Sequence, residues 1–162
     1  YLFCTPQNFI ITTKTPEKKF VEELCNKNNV KNISAWIKSR DVGFYSIEYT
    51  YRLNNHQKQK NFNPDFFIKC DIKDEVVILV VEVKDDGDNS IENRAKYKYG
   101  KLHFKKLNYK LNELGVNVRY IFHFLSPKDF HVFFKYLDDN RLFESQENFR
   151  CDLENLLETE ND

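Results

Sequence analysis

The chain has 162 residues, which suits one domain with a single core and is too short for two full ones. Its 25 lysines and arginines balance its 25 aspartates and glutamates, and this zero net charge at face value argues against binding to nucleic acid. Four glycines and four prolines exclude a low-complexity chain, and no apolar run approaches the roughly 20 residues of a membrane span.

Hydrophobic periodicity and turn residues predict helices alternating with strands. Thr15 is a favourable helix N-cap, and Pro16 suits the first helical position. The unbroken apolar run Val76 to Val83 is typical of a strand that is covered on both faces. The predicted elements, in chain order, are a helix from 15 to about 26, a connection with Trp36 and Ile37, a strand over 44–53, a polar loop over 54–61, strands over 62–72 and 76–83, a long helix over 91–114, a strand over 116–125, a helix over 126–137 and an acidic helix over 142–157.

This order of a helix, three strands, a helix, a strand and further helices predicts one α/β domain, with a central mixed sheet flanked by helices. We expect its core over about 15–137, followed by an acidic C-terminal helical segment over about 138–162. The chain does not start with methionine, which indicates a piece of a longer protein. Its four cysteines have no CxxC spacing, and we expect reduced thiols in a cytoplasmic protein.

Strand alternation places two ionisable residues together at the end of the most apolar strand. Glu82 and Lys84 point to the same face, where a lone buried carboxylate is unfavourable unless it is paired or binds a metal. Asp65 follows Pro64 at the start of the preceding strand, and a hairpin of the two strands brings it near Glu82. Two carboxylates and the carbonyl of Val83 form an oxygen site suited to Mg²⁺ or Mn²⁺.

These residues resemble a nuclease motif. Pro64-Asp65, sixteen residues and then Glu82-Val83-Lys84 resembles the PD-(D/E)xK superfamily, whose core is a helix, three strands, a helix and a strand. Over about 15–134, the segments TPEKKFVEEL, AWIKS, NPDFFIK and VVEVKDD are similar to the C-terminal endonuclease domain of type III-like restriction helicases. No helicase motif is present, so the resemblance implies a motor region elsewhere.

The resemblance implies an activity and a set of site residues. The activity is Mg²⁺-dependent hydrolysis of DNA phosphodiester bonds in a restriction or phage-defence system, with Mn²⁺ as a substitute and a dimer as one route to double-strand cleavage. Asp65 and Glu82 would be metal ligands together with the carbonyl of Val83. Lys84 would be the catalytic lysine, and Glu17 on the first helix would complete the site.

The zero net charge is a cancellation between two segments. Residues 94–110 carry seven basic and no acidic residues, whereas residues 138–162 carry nine acidic residues against two arginines. A basic helix face can follow a DNA backbone, so we expect one basic face for DNA and a separate acidic face. The predicted DNA contacts are Arg94, Lys96, Lys98, Lys101, Lys105 and Lys106.

Simpler interpretations stand beside each of these. Asp65 is also typical of a residue that caps a turn, Glu82 and Lys84 of a solvent-exposed ion pair, and Glu17 of a residue that stabilises a helix dipole. His123 is expected to be a hydrogen-bonded core residue. Two functions remain as alternatives: a nuclease-like fold that binds nucleic acid or a partner without catalysis, and a stand-alone resolvase or transposon-type nuclease.

Overall fold

The computed structural model describes residues 3–40, 42–72, 74–144 and 149–158. These residues form a mixed α/β fold with a four-stranded mixed sheet and a separate two-stranded hairpin. The elements, in chain order, are α1 Thr15–Leu24, β1 Ala35–Lys38, β2 Ile47–Leu53, β3 His56–Phe62, β4 Phe66–Ile72, β5 Glu75–Val83, α2 Ile91–Glu113, β6 Val118–Leu125, α3 Phe130–Asp138 and α4 Asp152–Glu158, with short 3₁₀ turns at Pro127–Asp129 and Arg141–Phe143.

The order of strands in the larger sheet is β1-β4-β5-β6. Strand β4 pairs antiparallel with β1 and with β5, whereas β6 pairs parallel with β5 after the crossover through α2. The central place of β5 explains its continuous apolar sequence, because both of its faces are covered. Its buried apolar residues are Val77, Leu79, Val80, Val81 and Val83.

Helices cover both faces of this sheet. On one face Phe20 of α1 contacts Phe66 of β4 and Phe133 of α3, with ring centroids 4.9 and 6.1 Å apart. On the other face α2 lies close to β6, and a Cβ atom at Gly100 would collide with the ring of Phe122. No helix in the described ranges is long and apolar enough to cross a membrane. The four cysteines are free thiols, as predicted.

Two predictions in the first half of the chain are wrong. Trp36 and Ile37 lie in the edge strand β1, not in a connection, and four residues are too few to show a period. The polar run 54–61 was expected to be a loop, but most of it forms strand β3, which pairs with β2 along its whole length. Because its residues are exposed on both faces, β3 lacks the alternation of apolar and polar residues that predicts a strand. The three strands that precede α2 in the sheet are therefore β1, β4 and β5.

Two predicted helix boundaries also differ from the structure. The N-cap of α1 is Lys14, so that Thr15 is already helical, and no side chain caps this end. The expected single helix over 142–157 is replaced by a 3₁₀ turn and the short helix α4. Residues 145–148 and 159–162 of the acidic segment lie outside the described residues.

Candidate active site

The predicted acidic residues come together where β4 begins and β5 ends. The antiparallel register pairs Phe66 with Val81, which places Asp65 opposite Glu82. The backbone N–H of Val83 donates to Asp65 Oδ2 at 2.8 Å. The backbone N–H of Ser39 donates to the carbonyl of Asp65 at 2.8 Å, so this residue is fixed between β1 and β5. Asp65 is thus held through its side chain by the end of β5 and through its backbone by the residue after β1.

Glu82 and Lys84 form a buried ion pair on the face of the sheet that α2 covers. Lys84 Nζ donates to Glu82 Oε1 at 2.6 Å, and the side chains of Lys84 and Glu82 are only 9% and 4% exposed. Lys84 Nζ also lies 5.9 Å from the ring centre of Phe124 on the paired strand β6. The interpretation of a solvent-exposed ion pair is therefore wrong.

One oxygen of this pair lacks a partner. Glu82 Oε2 is buried and accepts no hydrogen bond from any described residue. A buried carboxylate oxygen without a donor is unfavourable, and a cation that binds it removes the penalty. The donor set of the site therefore fits a metal ion that prefers oxygen ligands.

Glu17 reaches the same end of the sheet from α1. Its Oε2 accepts from the backbone N–H of Thr13 and pairs with Lys38 Nζ, both at 3.3 Å, and the side chains of Glu17 and Lys38 are almost fully buried. Lys38 ends β1 opposite Phe66. A helix-dipole effect alone does not account for a buried, paired Glu17.

Lys38 is a further residue of this site that was not among the predicted site residues. Its position two residues after Trp36 places both side chains on one face once β1 is assigned as a strand, and both residues are buried. The mistaken assignment of Trp36 to a connection removed that signal.

The charges at this end of the sheet act on one another. Burial, followed by the charge of Glu82, raises the pKa of Asp65 to about 7, and the charge of Glu17 adds to the increase. Burial is the largest single effect on the pKa of Lys84 and acts to lower it. The charges of Glu82 and Asp65 act in the opposite direction and together outweigh burial, so the net pKa is raised above its ordinary value. Lys84 is therefore held as an ammonium group, whereas Asp65 takes up a proton near neutral pH.

Helix α2 starts beside the site, and two of the predicted DNA contacts lie in its first two turns. Arg94 Nε donates to the carbonyl of Asn89 at 2.9 Å. Lys96 is half-buried, with its Nζ 5.8 Å from the ring centre of Tyr49. Burial, followed by the charge of Lys84, lowers the pKa of Lys96, so this side chain belongs to the environment of the site.

The other predicted DNA contacts lie further along α2. Lys101 forms an ion pair with Glu158 of α4, and Arg150 pairs with the same carboxylate. The acidic segment thus contacts the basic helix, and the predicted separation of acidic and basic faces is wrong at this point. The remaining predicted contacts are exposed to solvent: Lys98, Lys105 and Lys106.

The site offers a metal ion few side-chain ligands. Within the described ranges, no group of three or more histidine, cysteine, aspartate and glutamate side chains is arranged to hold one ion. The available donors are the carboxylates of Asp65 and Glu82 and the carbonyl of Val83. Mg²⁺ usually keeps several waters and binds proteins through one or two carboxylates, so this small set suits it.

Comparison with known proteins gives no further assignment. No protein-family profile, curated protein or solved structure matches this chain.

Proposed function

We propose that this chain is a Mg²⁺-dependent DNA endonuclease domain of the PD-(D/E)xK type, from a restriction or phage-defence system. One observation carries the proposal: Asp65 lies opposite Glu82 and Lys84 at the end of β5, and the buried Glu82 Oε2 is unpartnered among the described residues. The order α1, β1, β4, β5, α2, β6 supports it, since it follows the helix, three strands, helix and strand of that superfamily. The hairpin of β2 and β3 is then an insertion between the first two strands.

In this proposal each side chain has a defined task. Asp65 and Glu82, with the carbonyl of Val83, hold the cation. When bound, Mg²⁺ neutralises charge on the phosphate and lowers the pKa of a bound water. Lys84 remains an ammonium group because Glu82 and Asp65 stabilise its charge, and it stabilises the negative charge that develops on the phosphate.

Glu17 has an indirect part in this proposal. Its carboxylate is already paired with Lys38, so it contributes charge to the site without being a direct ligand. The buried pair also links α1 to the end of β1. Glu17 is therefore a positioning residue, not a catalytic one.

A cleavage assay tests the proposal. Duplex and single-stranded DNA are incubated with the chain in the presence of Mg²⁺, Mn²⁺ or a chelator. We expect metal-dependent cleavage, and a loss of about 100-fold or more in Asp65→Asn, Glu82→Gln and Lys84→Ala.

The matched controls come from the opposite ends of the same strands. Asp71→Asn on β4 and Glu75→Gln on β5 remove exposed or half-buried carboxylates and leave the site intact. We expect both to cleave within about twofold of the unchanged chain. Cleavage that survives both Asp65→Asn and Glu82→Gln contradicts the proposal.

A second candidate function is a nuclease-like module that binds nucleic acid without cutting it. It is favoured by the two lysines that already neutralise Glu82 and Glu17. Intact DNA binding together with absent Mn²⁺ binding would support this module. A stand-alone resolvase or transposon-type nuclease has the same site chemistry and passes the same cleavage test.

A further inference from the structure

The hairpin of β2 and β3 carries an exposed, basic surface. Between Glu48 and Asp65 the chain has no acidic residue, and it has three basic ones: Arg52, Lys58 and Lys60. All residues from 52 to 61 are exposed. Only the base of the hairpin contributes to the core, chiefly through Ile47, Tyr49 and Phe62. Its outer part therefore does not serve the packing of the domain.

A tight turn determines which side chains share a face of the hairpin. Asn54 and Asn55 both have positive φ, 49° and 63°, as a two-residue type I′ turn requires. The register places Arg52 opposite Gln57, and residues directly opposite each other share a face. The two faces therefore carry different side chains: Arg52, Gln57 and Gln59 on one, and Tyr51, Lys58 and Lys60 on the other.

The base of the hairpin is fixed beside the candidate site. The hydroxyls of Tyr49 and Tyr51 donate to the two carboxylate oxygens of Glu92 at 2.5 and 3.1 Å. Lys60 pairs with the same carboxylate at 3.2 Å. Glu92 lies in the first turn of α2, which begins next to the site. Burial and Glu92 raise the pKa of Tyr49, and the charge of Glu82 contributes to that increase, so the two elements are close.

We propose that residues 52–59 of the hairpin enter the major groove of duplex DNA next to the bond that the site cleaves. This inference rests on the proposed function. The major groove is about 12 Å wide and admits a two-stranded β-ribbon. Beyond Tyr51 the hairpin continues for three residues to Asn54 in the turn, which is about 10 Å, and the major groove is about 8.5 Å deep. The tip therefore reaches the groove floor from a base that lies beside the DNA backbone. The narrow major groove of duplex RNA excludes such a ribbon.

The side chains of the outer hairpin match this task. Arginine recognises guanine and glutamine recognises adenine through paired hydrogen bonds in the major groove. The face with Arg52, Gln57 and Gln59 therefore contacts bases. Lys58, on the other face, contacts phosphate, and neither Arg52 nor Lys58 forms an ion pair with another described residue. Lys60 is already paired with Glu92 and belongs to the base of the hairpin.

Binding in metal-free buffer tests this inference, because no cleavage takes place there. Fluorescence anisotropy of labelled duplex and single-stranded DNA is measured for the full chain over a range of salt concentrations. We expect the double variant Arg52→Ala/Lys58→Ala to bind duplex DNA about tenfold or more weakly, with a salt slope that is smaller by about one because the phosphate contact of Lys58 is lost. The matched control, Lys27→Ala/Lys31→Ala, removes two exposed charges from the loop between α1 and β1 and is expected to bind duplex DNA normally.

A second variant separates groove reading from charge alone. Gln57→Ala/Gln59→Ala keeps the net charge, and we expect it to reduce binding to duplex DNA and leave binding to single-stranded DNA unchanged. Duplex affinity that is unchanged in both hairpin variants overturns the inference, as do equal losses on duplex and single-stranded DNA. These failures leave the proposed function standing if Asp65→Asn and Glu82→Gln still abolish cleavage.

Discussion

Two buried glutamates, Glu82 and Glu154, differ in how their oxygens are satisfied. Glu154 Oε1 accepts from the backbone N–H of Phe124 at 3.0 Å, and its Oε2 accepts from the backbone N–H of Cys151 at 3.2 Å. Glu82 Oε1 accepts only from a lysine, and its Oε2 has no partner in the described part of the chain. A carboxylate with both oxygens bonded stabilises the fold, whereas one with an unpartnered oxygen destabilises it. The comparison distinguishes a structural carboxylate from a candidate ligand.

Glu154 closes an edge of the sheet. Strand β6 lies at the end of the strand order, so its outer backbone groups need partners. Glu154 accepts from the N–H of Phe124, and the thiol of Cys151 donates to the carbonyl of Phe124 at 2.9 Å. His123 Nδ1 lies 3.2 Å from Glu154 Oε1, which confirms the expectation of a hydrogen-bonded core histidine. This part of the acidic segment therefore protects the edge strand.

The largest expected effect on stability follows from removing Glu154. Glu154→Ala leaves the N–H groups of Phe124 and Cys151 without acceptors, and we expect a loss of about 3 kcal/mol in the free energy of unfolding. Urea unfolding measures it. A loss below about 1 kcal/mol would mean that the bonded carboxylate is not structural.

Glu82→Gln is expected to behave differently. The variant removes the charge that pairs with Lys84, but Asp65 is close enough to compensate the ammonium group. We therefore expect a smaller loss in urea unfolding than that of Glu154→Ala, together with the loss of cleavage. A destabilisation as large as that of Glu154→Ala would remove the contrast between the two glutamates.

The charge of Asp65 is expected to destabilise the fold above neutral pH. Its pKa is raised from 3.8 to about 7, mainly by burial. Between these two pH values the folded state therefore keeps a proton on Asp65 that the unfolded state has released. Its contribution to stability is complete below about pH 4 and is lost as the pH rises to about 7.

Asp65→Asn tests this pH dependence. Asparagine keeps an acceptor for the N–H of Val83 and removes the charge. In metal-free buffer we expect the variant to be more stable than the unchanged chain by about 1 kcal/mol at pH 8, and by less at pH 5. Unfolding in urea at the two pH values measures the difference. An equal effect at both pH values contradicts the raised pKa.

The smallest expected effect concerns Asp71, an exposed carboxylate near the end of strand β4. Asp71 pairs with Lys69 at 3.1 Å, and both side chains are about half exposed. We expect Asp71→Asn to leave the free energy of unfolding unchanged within the error of urea unfolding, because solvent screens an exposed ion pair. A clear loss of stability in Asp71→Asn would show that burial does not explain why the buried carboxylates Glu82 and Glu154 affect stability more than Asp71.

Part of the site follows from local sequence patterns. The apolar run of β5 predicts a central strand, and its alternation places Glu82 and Lys84 on one face. The short connection to the preceding strand predicts the approach of Asp65 to Glu82, which the register of β4 and β5 provides. These features involve neighbours in sequence or adjacent strands, so periodicity is enough to indicate them.

Other features depend on contacts that no local pattern encodes. Strand β1 is too short to show a period, so Lys38 was missed together with its pairing to Glu17. Strand β3 is polar and exposed on both faces, so its sequence predicts a loop instead of a strand. Glu154 accepts a hydrogen bond from Phe124 in the edge strand β6, about thirty residues earlier in the chain. The sequence around Glu154 contains no pattern that indicates this contact.

Mn²⁺ binding tests the central claim most directly, because it reports on the ligands without requiring cleavage. Isothermal titration calorimetry at pH 8 compares the unchanged chain with Asp65→Asn, Glu82→Gln and the control Glu75→Gln. The account predicts saturable binding by the unchanged chain and by Glu75→Gln, and at least about a tenfold weaker affinity in each of the other two variants. Equal Mn²⁺ affinity in the unchanged chain and Glu82→Gln would contradict a metal site at the end of β5.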